Sequence, residues 1–210
     1  MEQVKVLGIS GSPREAATEY AVKQALRAAA EVPGVETRLL TLRGRNIAPC
    51  RHCDSCLANK QLCCIEDDMR DLYEYILWAD AYIAGSPVYT MTISGPLQTF
   101  FNRWRPLHHV YRGILHDRVA GAIAVAAARN GGQETTVSTL LHYFLARGMI
   151  VVGGGIPSAY SGAYVVSQNL GAEGAKADLA GMESVANLGR RVAQVASWVK
   201  TGKAADEVPK

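Results

Sequence analysis

The chain has 210 residues, 49% of them hydrophobic, with 22 Lys and Arg against 19 Asp and Glu, a net charge of +3, and five Cys. That length and apolar share suffice for one domain with a full core. The basic residues are scattered, which argues against nucleic acid as a partner. The longest apolar run, 119–128, is far short of the roughly 20 residues that span a bilayer, and the opening MEQVKVLGIS has no secretory pattern. A soluble, cytoplasmic protein is expected, with no membrane partner.

Apolar runs and helical periods alternate along the chain. VKVLGIS (4–10) reads as a strand and 15–31 as a helix; VETRLLTL (35–42) is a second strand. Residues 66–80 form a helix with acidic residues at its start, where the helix dipole favours them. AYIAG (81–85) is a buried strand and 95–107 a helix with Pro near its first turn. A fourth strand over 118–128, a helix over 132–148, a fifth strand over 149–154, a Gly/Ser/Tyr-rich loop and a helix over 178–200 complete residues 1–200 as a single domain. Residues 201–210 read as a polar tail. Strands separated by helices predict an α/β fold, a doubly wound five-stranded parallel sheet in the flavodoxin-like order 2-1-3-4-5. Connections in such folds run about two to six residues, so the longer segment 43–65 after the second strand stands out, and it holds every cysteine.

Ligands of open α/β sheets bind beyond the carboxyl ends of the strands. Three polar or glycine-rich clusters fall there. SGSPREAATEY (10–20) offers hydroxyls, an arginine and a helix N-terminus to a phosphate; it is neither a Walker loop nor G-x-G-x-x-G. GSPVYTMTISGP (85–96) offers flat and soft side chains to a ring, and ARNGGQETT (128–136) offers backbone N–H groups to its polar edge. A monophosphate at one end and a flat polar ring at the other describe FMN. The candidate contacts are Ser10, Ser12, Pro13, Arg14, Thr18 and Tyr20, then Ser86, Pro87, Val88, Tyr89 and Met91, then Arg129, Asn130, Gly131 and Gly132.

The cysteines follow C-x2-C-x2-C-x6-C-C at Cys50, Cys53, Cys56, Cys63 and Cys64. Three thiols, each three residues apart, wrap a loop around three corners of a cubane, as in ferredoxin-type runs. The spacing favours a [4Fe–4S] cluster over a run of free thiols, and zinc least, since zinc prefers two separated C-x2-C knuckles. The fourth ligand is Cys63 or Cys64. Cys63 is preferred, because Cys64 precedes the apolar Ile65 and is expected to face the core.

ISGSPR followed by Thr18, CxxCxxC…C…EDDM, WADAYIAGSPVY, SGPLQTFFNRW and GGQETT together resemble the NADPH-dependent FMN reductase superfamily and, more narrowly, its iron–sulfur flavoproteins, over residues 4–155. Two positions depart from the pattern: Ala16-Ala17 stand where Gly-Asn is frequent, and Asn102 where an acidic residue is frequent. The resemblance implies a gap of four to seven residues before the fourth cysteine, a ferredoxin-like electron donor, and a homodimer or homotetramer. Two other functions stay open, an NAD(P)H-dependent flavin or quinone reductase without a cluster and a dehydrogenase of one small metabolite. His108 and His109 read as a subunit contact, His142 as packing, and Trp104 and Tyr111 as interface or core; no catalytic triad is legible, and flavin chemistry needs none.

Overall fold

The computed structural model describes residues 3–155 and 159–206. Strands β1 (Val4–Ser10), β2 (Val35–Thr41), β3 (Ala81–Pro87), β4 (Val119–Ala126) and β5 (Ile150–Val151) lie in the order β2-β1-β3-β4-β5, all parallel, as the alternating pattern predicts. Helices α1 (Ala17–Ala30), α7 (Gly171–Ala177) and α8 (Leu179–Asp206) cover one face. The other carries α3 (Met69–Trp78), α4 (Gly95–Asn102), α5 (Arg105–His109) and α6 (Gln133–Leu145), while α2 (Ser55–Ala58) lies within the cysteine loop. Among the described residues no helix is long and apolar enough to cross a membrane.

The central strands are buried on both sides, so their side chains alternate between two cores rather than between core and water. Leu7, Ile9, Tyr82, Ala84, Ala120 and Ala122 face the α3–α6 layer; Val4, Val6, Ala81, Ile83, Val119 and Ile123 face α1 and α8. On that second face β1, β3 and β4 each carry a glycine where a helix presses down. A Cβ on Gly8 would lie 2.6 Å from Leu26 Cδ1, one on Gly85 2.4 Å from Val22 Cγ2, and one on Gly121 2.8 Å from Val192 Cγ2.

Four boundaries differ from the sequence reading. The fifth strand is not 149–154: β5 stops at Val151, where the glycines of 153–155 cannot sustain a ladder. The fifth place is then completed by β6 (Ala163–Val166), which pairs with β4 from Ile123 to Ala126. The expected Gly/Ser/Tyr-rich loop therefore contains a strand and also helix α7; its residues 156–158 lie outside the described residues. The helix over 95–107 breaks after Asn102, because Pro106 lacks an N–H and its ring opposes the carbonyl four residues back. α8 runs six residues past the expected end at 200, so residues 201–206 of the tail are helical, and 207–210 lie outside the described residues.

Gly8→Val places a branched side chain against Val22 and Leu26 without room for it. Overpacking of this kind costs about 1–3 kcal/mol. The expected result is a lower urea midpoint with an unchanged slope; an unaltered midpoint would show that α1 yields freely.

Candidate functional site

The three clusters meet at the carboxyl ends of β1, β3 and β4. Gly11 N–H donates to Gly85 O at 2.8 Å, and the Ser94 hydroxyl, which caps α4, donates to Gly11 O at 2.6 Å. Ser86 Oγ donates to Pro87 O and accepts from Ser94 N–H, fixing the start of the second loop. Tyr89 and Thr92 pair through two backbone hydrogen bonds of 2.9 and 3.1 Å around Thr90 and Met91, whose φ values of 47° and 67° are left-handed. Such conformations cost of order 1–3 kcal/mol each and gather at functional sites. The hairpin holds Tyr89 and Met91 out, 40% and 54% exposed.

The hairpin leans on the third loop. Thr135 Oγ1 donates to Met91 O at 2.7 Å, and a Cβ on Gly132 would lie 2.8 Å from Met91 Sδ; with φ at 100°, that position takes glycine for two reasons. Buried Gln133 staples the loop, accepting from Gly131 N–H at 2.8 Å and donating to Ala128 O at 2.9 Å, while Asn130 takes the left-handed region that Asn tolerates. Arg129 and Asn130 are exposed beside it and Val88 is half-buried.

At the first loop, Ser10 Oγ is buried with no partner, and so is Thr136 Oγ1. No side chain caps the start of α1, where Ala16 is the N-cap. Arg14 is exposed and makes no ion pair among the described residues, next to exposed Pro13 and buried Thr18. The Ser12 hydroxyl is engaged within the loop, donating to Arg14 O and accepting from Arg14 N–H. Tyr20 stands apart: its half-buried ring packs toward the α1–α8 core, with Lys176 Nζ of α7 5.5 Å from its centroid.

The cysteine loop folds over the other end of α4. All five thiols line one tight cavity with Arg51, Asp54, Ile65, Arg103, Arg105 and Pro106. The expectation for the last two cysteines is reversed: Cys64 is exposed, with Sγ 4.0 Å from Cys53 Sγ, whereas Cys63 is half-buried against the α3–α6 core. The Cys-Cys step turns its first thiol inward, and Ile65 is itself half-buried. Burial pushes the Cys56 thiol up, and hydrogen bonding from Ser55, then Cys53, pulls the Cys64 thiol down. Among the described residues no group of three or more His, Cys, Asp or Glu side chains is placed to hold a metal ion.

Sequence reasoning missed what anchors this loop, although both residues lie inside the motifs EDDM and FFNRW. Arg103, 1% exposed, donates from Nη1 to Asp67 Oδ2 at 2.6 Å and to Ala48 O at 2.7 Å, and from Nη2 to Asp67 Oδ1 at 3.1 Å. Asp67 also accepts from Ala48 N–H and Met69 N–H, and Tyr73 OH donates to Arg103 O at 2.6 Å. Burial alone would raise the Asp67 carboxyl; Arg103 and the two N–H groups outweigh it and hold the group below the ordinary carboxylate range. His108 and His109 lie on α5, exposed and away from the strand ends, and burial pushes both imidazoles down. Trp104 is core, whereas His142 is exposed rather than packed.

Asp67→Asn leaves a buried guanidinium without its counter-charge, a loss of about 3–5 kcal/mol. The carboxyl's folded pKa lies below its unfolded value of about 3.9, so its contribution is present above that value and disappears as pH falls through the folded one. Urea unfolding should show a large loss for Asp67→Asn at neutral pH and a smaller difference from wild type well below pH 3.9. A difference constant with pH would mean that the ion pair contributes nothing.

Residues 4–162 match the family model described as NADPH-dependent FMN reductase. An iron–sulfur flavoprotein of Methanocaldococcus jannaschii is 41% identical, covering 94% of this chain and 100% of its own, and one of Archaeoglobus fulgidus is 38% identical over 90% and 96%. Among solved structures, RosB with a bound 8-demethyl-8-formylriboflavin-5'-phosphate intermediate superposes with a TM-score of 0.74 at 16% identity, over 99% of this chain and 88% of that one. A flavodoxin-type WrbA-like protein of Agrobacterium tumefaciens gives 0.66 at 18%, over 94% and 99%. With three loops converging at the strand ends of a flavodoxin-like sheet, this chain belongs to the NADPH-dependent FMN reductase family, and it is a flavin-dependent oxidoreductase.

Proposed function

We propose that the chain is an FMN protein whose cysteine loop holds a [4Fe–4S] cluster, passing electrons between a ferredoxin-like donor and an acceptor. The observation that carries this reading is the single cavity lined by five thiols, together with buried N–H donors that have no partner, Arg103 Nε and Arg105 Nε. Soft sulfur donors with such N–H groups beside them suit an iron–sulfur cluster. The cavity is tight, about 10 Å³, so the exposed residues 51–53 would shift outward to admit a cubane while Arg103 and Arg105 hold the loop through Asp67 and Asp54. Cys50, Cys53, Cys56 and Cys63 are the proposed ligands. Cys63 is favoured because its half-buried thiol would shield the cluster on the core side; Cys64, exposed as Cys53 is and 4.0 Å from it, is the competing fourth ligand.

FMN, when bound, supplies the exchange between two-electron and one-electron steps, and the cluster supplies a one-electron store. The protein's own residues bind and orient. Ser10, Arg14 and the uncapped start of α1 fit the phosphate, and the Tyr89–Met91 hairpin with the Gly131–Gly132 loop fits the ring. Helix α4 links the two sites, with Ser94 at the first loop and Arg103 nine residues on, roughly 13 Å at 1.5 Å per residue. The exposed hairpin side chains favour a homodimer or homotetramer that covers them, in the cytoplasm. A second reading, NAD(P)H-dependent reduction of a flavin or quinone with idle thiols, draws on the family model.

Anaerobically purified protein is expected to contain FMN, about four irons and equivalent acid-labile sulfide per chain. Serine at Cys50, Cys53, Cys56 or Cys63 should remove the iron and spare the flavin, whereas Cys64→Ser should keep both. Iron lost from Cys64→Ser alone would reassign the fourth ligand; wild type with flavin, no iron, and rapid NADPH oxidation would establish the second reading. Arg14→Ala should weaken FMN binding by about 1.5–3 kcal/mol, the size of a charge-assisted hydrogen bond. Wild-type affinity in that variant would remove Arg14 from the phosphate site.

A further inference from the structure

Arg103 and Arg105 stand on either side of Trp104, at the break between α4 and α5, and both line the thiol cavity. Each guanidinium is held at its far end. Arg103 spends its Nη atoms on Asp67 and the Ala48 carbonyl, and Arg105 Nη2 pairs with Asp54. In both the Nε atom is buried and has no hydrogen-bond partner. A buried N–H without an acceptor is costly; Trp104 Nε1 and Arg147 Nε are also without one, but of these four residues only Arg103 and Arg105 line the thiol cavity. Two of them in one cavity that all five cysteines line have a common explanation: their acceptors are sulfur atoms.

We infer that Arg103 and Arg105 are positioning and tuning residues of the cluster, each holding the loop through its terminal nitrogens while donating Nε–H to a thiolate or sulfide sulfur. The inference rests on the cluster reading above. Adding one electron to a thiolate-ligated cubane increases the negative charge on its sulfurs, so N–H donors aimed at them stabilise the reduced form more than the oxidised one and raise the reduction potential. The effect comes from the directed N–H rather than from net charge, since Asp67 and Asp54 already neutralise the two guanidinium groups. Lysine would keep the charge and the ion pair and lose the donor at that point. That separates the two contributions.

The test uses anaerobically purified protein with its cofactors, in wild type, Arg105→Lys and Arg103→Lys. Arg105 is half-buried and outside the Asp67 knot, so its variant remains informative if Arg103→Lys fails to fold. An EPR-monitored titration should show the cluster potential of Arg105→Lys lowered by about 59 mV, a tenfold change in the one-electron equilibrium, with iron content unchanged. Protein labelled with 15N at arginine Nε should show hyperfine coupling of that nitrogen to the reduced cluster, diminished in the variant; a merely structural arginine would give none. Full iron with an unshifted potential and no 15N coupling would overturn the donor assignment and leave the cluster standing. Wild type without iron or sulfide would overturn both together.

Discussion

The buried ion pair of Arg103 and Asp67 is the constraint that makes a long polar loop compatible with this fold. The backbone hydrogen bonds within residues 43–65 gather at 54–61, around α2, and a loop of that length would ordinarily wander. Arg103 clasps it at both ends at once, reaching Ala48 before the cysteines and Asp67 after them. Removing two charges from water is expensive, and a buried pair is rarely a net source of stability against an apolar substitute. What it supplies is placement: a bidentate fork has one geometry, and that geometry determines where the thiols stand relative to α4.

Helix α4 carries the same constraint to the loops at the strand ends. Its cap, Ser94, donates to Gly11 O, and its last turn delivers Arg103 to Asp67. Between them Leu97, Phe100 and Phe101 are fully buried, and Phe101 meets Trp104 at 5.1 Å and Phe144 at 5.6 Å between ring centroids. A rigid, apolar helix thus fixes the distance between two polar sites. On the opposite face the glycines of β1, β3 and β4 let α1 and α8 close on the sheet, so that Ser10 and Gly85 end at the same level beneath the loops.

Much of this was legible in the sequence, for reasons that also explain what was not. Apolar runs fix β1, β3 and β4, the first two stopping at Gly or Ser, and the sheet order follows because few topologies suit such an alternation. β6 escaped because Ala163–Val166 is four residues long inside a glycine-rich stretch, and only its partner β4 makes it a strand. The break at Pro106 was readable from the proline alone, yet the helical period on either side masked it. Asp67 and Arg103 are 36 residues apart, so no local spacing announces their pairing. The sequence inverts the burial of Cys63 and Cys64, because the apolar Ile65 beside Cys64 suggests a core-facing position that the fold gives to Cys63. The loop ends are held by Arg103 rather than by an apolar period, so alternation is no guide there.

The two sites differ in how they are held, and that difference suits two kinds of cofactor. The loops at the strand ends, proposed to hold the flavin, are braced by backbone and side-chain hydrogen bonds among themselves, from Ser86 and Ser94 to Gln133 and Thr135, leaving a defined shape. The stretch around Cys53 is exposed, carries left-handed backbone at His52 and Asp54, and is fixed mainly through Arg105 and Asp54. A planar ring held by weak contacts needs a preformed crevice, because it cannot supply much ordering energy. A metal cluster bound through four strong bonds can order its own loop, as metal sites commonly do. On the proposed reading, then, the protein needs to fix only the ends of that loop and the N–H groups proposed to face the sulfur.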